Sequence, residues 1–136
     1  REALDYCSCE IPMPRACAGN WHAKRAAQHW MLDVDNALYK QRALPFRPMF
    51  AFGWVVSHLA NEKVFTDMMA KDGVSHVHQT MFLDCDPDEG FRHKMQIYSE
   101  LEAAKLFVTG TSEQAYAVYN ACGKAALSVD DDQLVS

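Results

Sequence analysis

The apolar residues of this chain are most concentrated in residues 46–60, with the sequence FRPMFAFGWVVSHLA. Residues 49–56 within it include no charged or polar position. A surface helix keeps one polar face, so a segment that is apolar all round must be covered on every side. It is too short to span a bilayer, which takes about 20 apolar residues. We expect the chain's other helices, a second protein or the edge of a membrane to cover it.

Apolar residues at helical spacing predict a first helix over residues 20–41. Asn20 suits the N-cap position, and the charged residues, Asp33 and Asp35 among them, lie largely off the apolar stripe. Pro45 and Pro48 end this helix, because proline lacks the amide donor that a helix interior needs. Residues 1–19, with prolines and a glycine, predict an irregular N-terminal arm.

The apolar segment is predicted to form a second helix that begins at Pro48, where a missing donor costs nothing, and ends near Gly73. Residues 74–83 suit a short helix capped by Ser75, and their β-branched and aromatic content suits a strand equally. We predict the short helix, because no second strand is expected for pairing.

A third helix has the clearest start signal in the chain. Asp86 is its predicted N-cap, Pro87 its first residue, and Glu89 reaches back to the cap. The apolar pattern carries this helix to about Val108, and Gly110 ends it.

Thr111 and Gln114 form a second capping box and begin a last helix, whose apolar side extends to Val129. The acidic residues 130–132 oppose the helix dipole and predict fraying there. Four principal helices predict an all-α fold, a small helical bundle. Its domains are the arm over residues 1–19 and a single helical domain over residues 20–136.

A chain of 136 residues with 49% hydrophobic and 23% charged residues suits one globular domain.

The charge is unevenly distributed. The net charge of −5 divides into +2 for residues 1–48 and −7 for residues 49–136. An acidic chain without a basic stripe argues against nucleic-acid binding.

The first residue of the sequence is Arg1. We read the start as the result of removing a targeting peptide, which predicts an organelle and favours the mitochondrion over the plastid. The five cysteines are an odd number, which cannot pair fully within the chain. We favour free thiols, and a disulfide between Cys17 and either Cys7 or Cys9 is the alternative.

Metal-binding patterns are incomplete. Asp84, Asp86 and Asp88 imitate the start of a calcium loop, but Glu89 and Met95 occupy its glycine and glutamate positions. The six histidines lack zinc spacing. The prediction is therefore no metal and no cofactor.

His58 is the one candidate cofactor ligand. It follows Trp54 by one turn of the predicted second helix, an arrangement in which it would serve as an axial ligand to a haem or a pigment. The alternative, which we favour, is a core histidine bonded to a carbonyl or a side chain.

The sequence has no nucleophile elbow, phosphate loop or dinucleotide fingerprint, and no motif identifies a family. We therefore expect a non-catalytic accessory subunit of a larger, membrane-associated organellar complex, with other protein subunits as partners and contact with a membrane surface. The alternatives are a helical small-molecule or cofactor binder around Trp54 and His58, and an enzyme of another class. The predicted partner-docking residues are Arg42, Phe46, Arg47, Met49, Phe50, Phe52, Trp54 and Val55.

Overall fold

A computed structural model describes residues 27–38, 40, 53–59, 63, 67, 70–71 and 79–136. Within them the chain forms a six-stranded sheet in the order β3-β2-β1-β4-β5-β6. The strands are β1 (Trp30–Asp33), β2 (Trp54–Ser57), β3 (Gln79–Phe82), β4 (Leu106–Thr109), β5 (Ala126–Ser128) and β6 (Gln133–Val135). The first five run parallel to their neighbours, and β6 is antiparallel to β5. The fold is therefore α/β.

The helices whose bounds the structure describes are α1 (Val34–Ala37), α2 (Pro87–Glu100) and α3 (Ser112–Cys122). The helix α2 connects β3 to β4, and α3 connects β4 to β5. Tyr98 of α2 packs on Phe107 of β4, with ring centroids 5.3 Å apart, and Phe91 meets the same ring edge-on at 6.2 Å. Ala115 and Val118 of α3 join that core.

The topology creates a switch point between β1 and β4. From β1 the sheet extends through β2 to β3, after which the chain crosses back and adds β4 and β5 on the other side of β1. The connections that leave β1 and β4 therefore diverge and open a crevice at the carboxyl ends of these strands. Such a crevice is the usual ligand site of open α/β sheets.

The prediction of an all-α bundle is wrong, as is the helical description of residues 20–136. In place of the first helix, the chain forms strand β1, and α1 covers four residues only. The reason is that β1 is buried at all four positions. A central parallel strand is covered on both faces, so its sequence is continuously apolar and imitates a buried helix.

The second predicted helix is wrong over Trp54–Ser57, which is strand β2. In its later part the described residues are helical as predicted, namely Lys63, Asp67, Ala70 and Lys71. The all-round apolar character of β2 results from a central position between β1 and β3. The short helix predicted within residues 74–83 is replaced by β3 over Gln79–Phe82. Its partner is β2, the strand that the sequence interpretation lacked.

The two helix starts in the carboxyl-terminal half are confirmed. The Asp86 side chain accepts a hydrogen bond from the Glu89 amide, and Thr111 and Gln114 form the reciprocal capping box. Both predicted ends are too late. The helix α2 ends at Glu100, and β4 takes the place of its predicted last part.

Past Cys122, the last predicted helix is likewise replaced. Gly123 ends α3 in the left-handed conformation, with φ of 67°. Residues 130–132, predicted to be a fraying helix end, instead form the turn between the antiparallel strands β5 and β6.

The predicted arm over residues 1–19 lies outside the described residues. In the parts of the chain that are described, no helix combines the length and the apolar character that a membrane crossing requires.

Candidate functional site

Polar side chains end three neighbouring strands at the switch point. Asp33 is the last residue of β1, Ser57 of β2 and Thr109 of β4, and all three are fully buried. Burying a polar group costs free energy unless the group is hydrogen-bonded, so these three side chains need hydrogen-bond partners. Each of the three belongs to one connected network.

Two side chains fix the orientation of the Asp33 carboxylate. Asn36 donates through Nδ2 to Oδ2 of Asp33 at 2.7 Å, and Thr109 donates through Oγ1 to the same oxygen at 2.8 Å. The other oxygen, Oδ1, accepts from Lys94 Nζ at 2.6 Å. Oδ2 is therefore held by two donors, while Oδ1 is directed at a cation.

Asp35, two residues later, accepts from a different set of donors. Its Oδ1 accepts from Ser57 Oγ at 2.8 Å, and its Oδ2 accepts from the His58 amide at 2.8 Å. Lys94 Nζ also reaches Oδ2 at 2.6 Å, and Nδ1 of the His58 ring lies 2.9 Å from it. Asp35 thus ties the ends of β1 and β2 to α2.

Lys94 is the only cation that the described residues place between the two carboxylates, and its side chain is 1% exposed. The helix α2 can deliver it because Gly90, one turn earlier, lies directly on His58. A Cβ atom at Gly90 would lie 2.5 Å from the His58 Cβ. The glycine therefore permits the close helix approach that brings Lys94 between Asp33 and Asp35.

The network keeps Asp35 ionised. Burial by itself raises the pKa of Asp35, but the hydrogen bonds from Lys94 and the His58 amide, the Lys94 charge and the Ser57 hydroxyl together hold it below its usual value. With one lysine for two aspartates, the cluster of Asp33, Asp35 and Lys94 carries one net negative charge while His58 is neutral.

A second layer supports the strand ends. Oε1 of Gln114 accepts from the amides of Gly110 and Thr111 at 3.2 and 3.0 Å and lies 3.2 Å from Thr109 Oγ1. A Cβ atom at Gly110 would lie 2.4 Å from the carbonyl oxygen of Asn36. The loop after β4 is therefore packed tightly against the turn that holds Asp33.

The strand order matches that of dinucleotide-binding sheets, but the first turn differs. Those sheets place glycines after the first strand so that a pyrophosphate can approach the backbone. Here the turn carries Asp33 and Asp35 in place of those glycines.

Comparison with protein-family models, curated proteins and solved structures finds no match to this chain. The chemistry of the site therefore carries the functional argument. Among the described residues no group of three His, Cys, Asp or Glu is arranged to hold a metal ion.

Of the predicted site residues, His58 enters the network and two docking residues are described. Trp54 is half-buried in β2 beside the core cluster, and Val55 is fully buried in the same strand. His58 lies in the loop after β2 rather than on a helix, and its ring faces Asp35. The remaining docking residues lie outside the described residues: Arg42, Phe46, Arg47, Met49, Phe50 and Phe52. Their role as a docking surface stays a prediction.

The sequence interpretation missed Asp33, Asp35, Ser57, Lys94 and Thr109. One signal was available, namely that an apolar run ends in Asp33 and a second acid follows two residues later. A second run ends in Ser57 and a third in Thr109. Interpreted as three parallel strands, these runs predict polar groups at one sheet edge. Lys94 had no signal, because α2 is a plausible surface helix in sequence.

Proposed function

We propose that this chain is an enzyme of phosphoryl transfer that hydrolyses phosphate monoesters, with Asp33 as the attacking nucleophile. The observation that carries the proposal is the buried Lys94 ammonium, 2.6 Å from a carboxylate oxygen of both Asp33 and Asp35 at the switch point. Replacing a buried ion cluster by apolar residues is often neutral or stabilising. Such a cluster in a ligand-binding crevice is therefore a candidate for function.

Asp33 suits the nucleophile better than Asp35 does. Three donors reach Asp33, and Oδ1 takes only Lys94 among them. Four contacts reach Asp35, including a backbone amide, so Asp35 is committed to holding the loop after β2. Carboxylates form covalent intermediates in phosphoryl transfer and in glycoside hydrolysis.

Glycoside hydrolysis fits less well. It requires a second carboxyl group that stays protonated at neutral pH through a raised pKa. The pKa of Asp35 is lowered instead, because Lys94 and the His58 amide bond to its charged form. An ionised pair with a cation between its members suits a transferring group that is itself anionic.

Lys94 supplies the positive charge for the transfer of the phosphoryl group to Asp33. Oδ1 of Asp33 bonds to phosphorus, the bond from phosphorus to the ester oxygen breaks, and its electron pair leaves with that oxygen. The Asp33 carboxyl group loses its own charge on becoming an acyl phosphate, while the phosphoryl group remains anionic. Lys94 is then free to pair with a phosphoryl oxygen, where fixed positive charge stabilises the transition state. Water then attacks phosphorus, and inorganic phosphate and the Asp33 carboxylate are released.

In this structure Asp33 is fully buried, so substrate reaches Oδ1 only after groups around it move. Phosphoryl transfer ordinarily uses Mg²⁺ as counter-charge. The steps above are written with the chain's own groups, and the assay is run with and without this ion.

The test is hydrolysis of p-nitrophenyl phosphate and of a panel of alkyl phosphates by the purified chain, with and without added Mg²⁺. We expect phosphate release that Asp33→Asn abolishes. A label transferred from ³²P-substrate to the protein should be released by hydroxylamine, which cleaves acyl phosphates.

The matched control is Asp88→Asn, the same chemical change at an exposed residue in the first turn of α2. It should retain full activity. Turnover that survives Asp33→Asn in a folded variant, or a chain inactive on every substrate, would contradict the proposal.

A further inference from the structure

His58 occupies the outer end of the buried charge network. Side-chain exposure is 0% at Asp33, 1% at Lys94, 8% at Asp35 and 21% at His58. The imidazole is therefore the most solvent-exposed of these four groups, and it is where a proton can most easily enter or leave the network. Histidine is also the side chain whose ordinary pKa, about 6.5, lies closest to neutral pH.

Asp35 holds the His58 ring in one orientation. The Nδ1 atom lies 2.9 Å from Oδ2 of Asp35, and an ionised carboxylate only accepts hydrogen bonds. The network thus assigns a proton to Nδ1, as in sites where a carboxylate sets the tautomer of a histidine. Nε2 is then the atom that gains or loses a proton.

The backbone of His58 is fixed as well. Its amide donates to Asp35 Oδ2 at 2.8 Å, its carbonyl accepts from the Cys85 amide at 3.0 Å, and Gly90 of α2 packs against its Cβ. Three separate parts of the chain therefore set the position of this ring. Such multiple restraint suits a group that must present one nitrogen in one direction.

We infer that His58 is the proton-transferring residue of the site, with Asp35 as its positioning residue. This role rests on the proposed phosphoryl transfer. In the first step His58 is an imidazolium, and its Nε2 proton goes to the ester oxygen as the bond to phosphorus breaks. In the second step the neutral ring takes a proton from the attacking water, which restores the imidazolium as phosphate leaves Asp33.

The surrounding charges are compatible with this cycle. The ionised Asp35 stabilises the imidazolium, and Lys94 opposes it from the far side of the same carboxylate. Cys85, whose amide bonds to His58, is kept as a neutral thiol, because burial and then the charges of Glu89 and Asp86 raise its pKa. Asp35 itself is a poor acid at neutral pH, since its pKa is lowered.

The experiment compares two substrates whose leaving groups differ in their need for a proton. p-Nitrophenolate departs without protonation, whereas an alkoxide from glycerol phosphate requires a proton. His58→Asn keeps an N–H donor near the Nδ1 position for Asp35 and cannot titrate. In a single-turnover measurement of alcohol release, which reports the first step alone, we expect the rate for glycerol phosphate to fall by about 10²–10⁴-fold, the usual contribution of general acid–base catalysis, and that for p-nitrophenyl phosphate by less than about 10-fold.

The matched control is His93→Asn, an exposed histidine on α2 that pairs with Glu89 at 3.6 Å. It should keep both activities.

Each outcome is decisive. Equal losses in this first step on both substrates, or no loss on either, would overturn the role of His58 while leaving Asp33 as nucleophile. A wild-type chain that turns over neither substrate would overturn the phosphoryl transfer itself and this role with it. Imidazole ¹⁵N spectra add a readout that needs no turnover: a neutral ring protonated at Nε2 instead of Nδ1 would contradict the orientation by Asp35.

Discussion

Thr109 Oγ1 donates a 2.8 Å hydrogen bond to Asp33 Oδ2, although the two residues are 76 positions apart. The bond joins the carboxyl ends of β4 and β1, the strands on either side of the switch point. It makes the orientation of the Asp33 carboxylate depend on a residue from the other half of the sheet.

Thr109→Val removes this hydroxyl at nearly constant volume. Hydrogen bonds to charged groups contribute about 1.5–3 kcal/mol, so we expect the free energy of unfolding to fall by that amount. Urea denaturation measures it. Thr80→Val in the half-buried strand β3 is the control and should change stability by less than about 0.5 kcal/mol. Equal losses of stability in the two variants would mean that the hydrogen bond to Asp33 adds no stability of its own.

Lys94→Met should be the most damaging single substitution in the network. It leaves Asp33 and Asp35 buried without their cation, and breaking a buried ion pair costs about 3–5 kcal/mol. Lys63→Met provides the comparison, because Lys63 forms an exposed pair with Asp67 and such pairs contribute about 0–1 kcal/mol. Urea unfolding of both variants at pH 7 checks the difference. A Lys94→Met variant as stable as Lys63→Met would contradict the buried pairing.

The lowered pKa of Asp35 predicts acid sensitivity. Because the folded pKa lies below the unfolded value of about 3.9, the stabilisation is fully present above that value and is lost as pH falls through the folded pKa. The wild type should therefore lose stability more steeply below about pH 4 than Asp35→Asn does. Urea midpoints measured from pH 6 to pH 2 test this, and parallel curves would refute it.

Gly110→Ala should destabilise the site loop through overpacking. The added Cβ would lie 2.4 Å from the Asn36 carbonyl oxygen, which belongs to the turn that holds Asp33. Overpacking of this kind costs about 1–3 kcal/mol. Gly123→Asn is the control: no atom of the described residues lies within 4 Å of a Cβ there, and asparagine tolerates the left-handed conformation. Thermal melts should separate the two variants clearly, and similar melting temperatures would argue against the close contact.

Tyr98→Phe removes a buried hydrogen bond away from the site. The hydroxyl donates to the Ala125 carbonyl at 2.6 Å, and Lys124 Nζ lies 4.1 Å from the ring centroid. We expect a loss of about 1–2 kcal/mol because the Ala125 oxygen is left without that donor. Tyr116→Phe, at an exposed tyrosine, should change stability little. Burial also raises the pKa of Tyr98, so its hydroxyl should resist ionisation in an alkaline titration of native protein.

Local signals in the sequence were sufficient for the starts of α2 and α3. Asp86, Thr111 and Gln114 act through hydrogen bonds to atoms within a few residues, and these bonds form regardless of the rest of the fold. The same independence explains why those predictions are confirmed in a chain whose fold class was predicted wrongly.

The central strands depended on partners that local patterns do not contain. The apolar runs in β1 and β2 are compatible with a buried helix or a buried strand, and the choice is made by pairing between Leu32 and Val55, which are distant in sequence. Once the strands pair in parallel, their carboxyl ends share one edge, and Asp33, Ser57 and Thr109 come together there. Only the packing of α2 then brings Lys94 between the carboxylates. The site is therefore a product of tertiary structure, because its members meet through backbone pairing and helix packing that no short segment encodes.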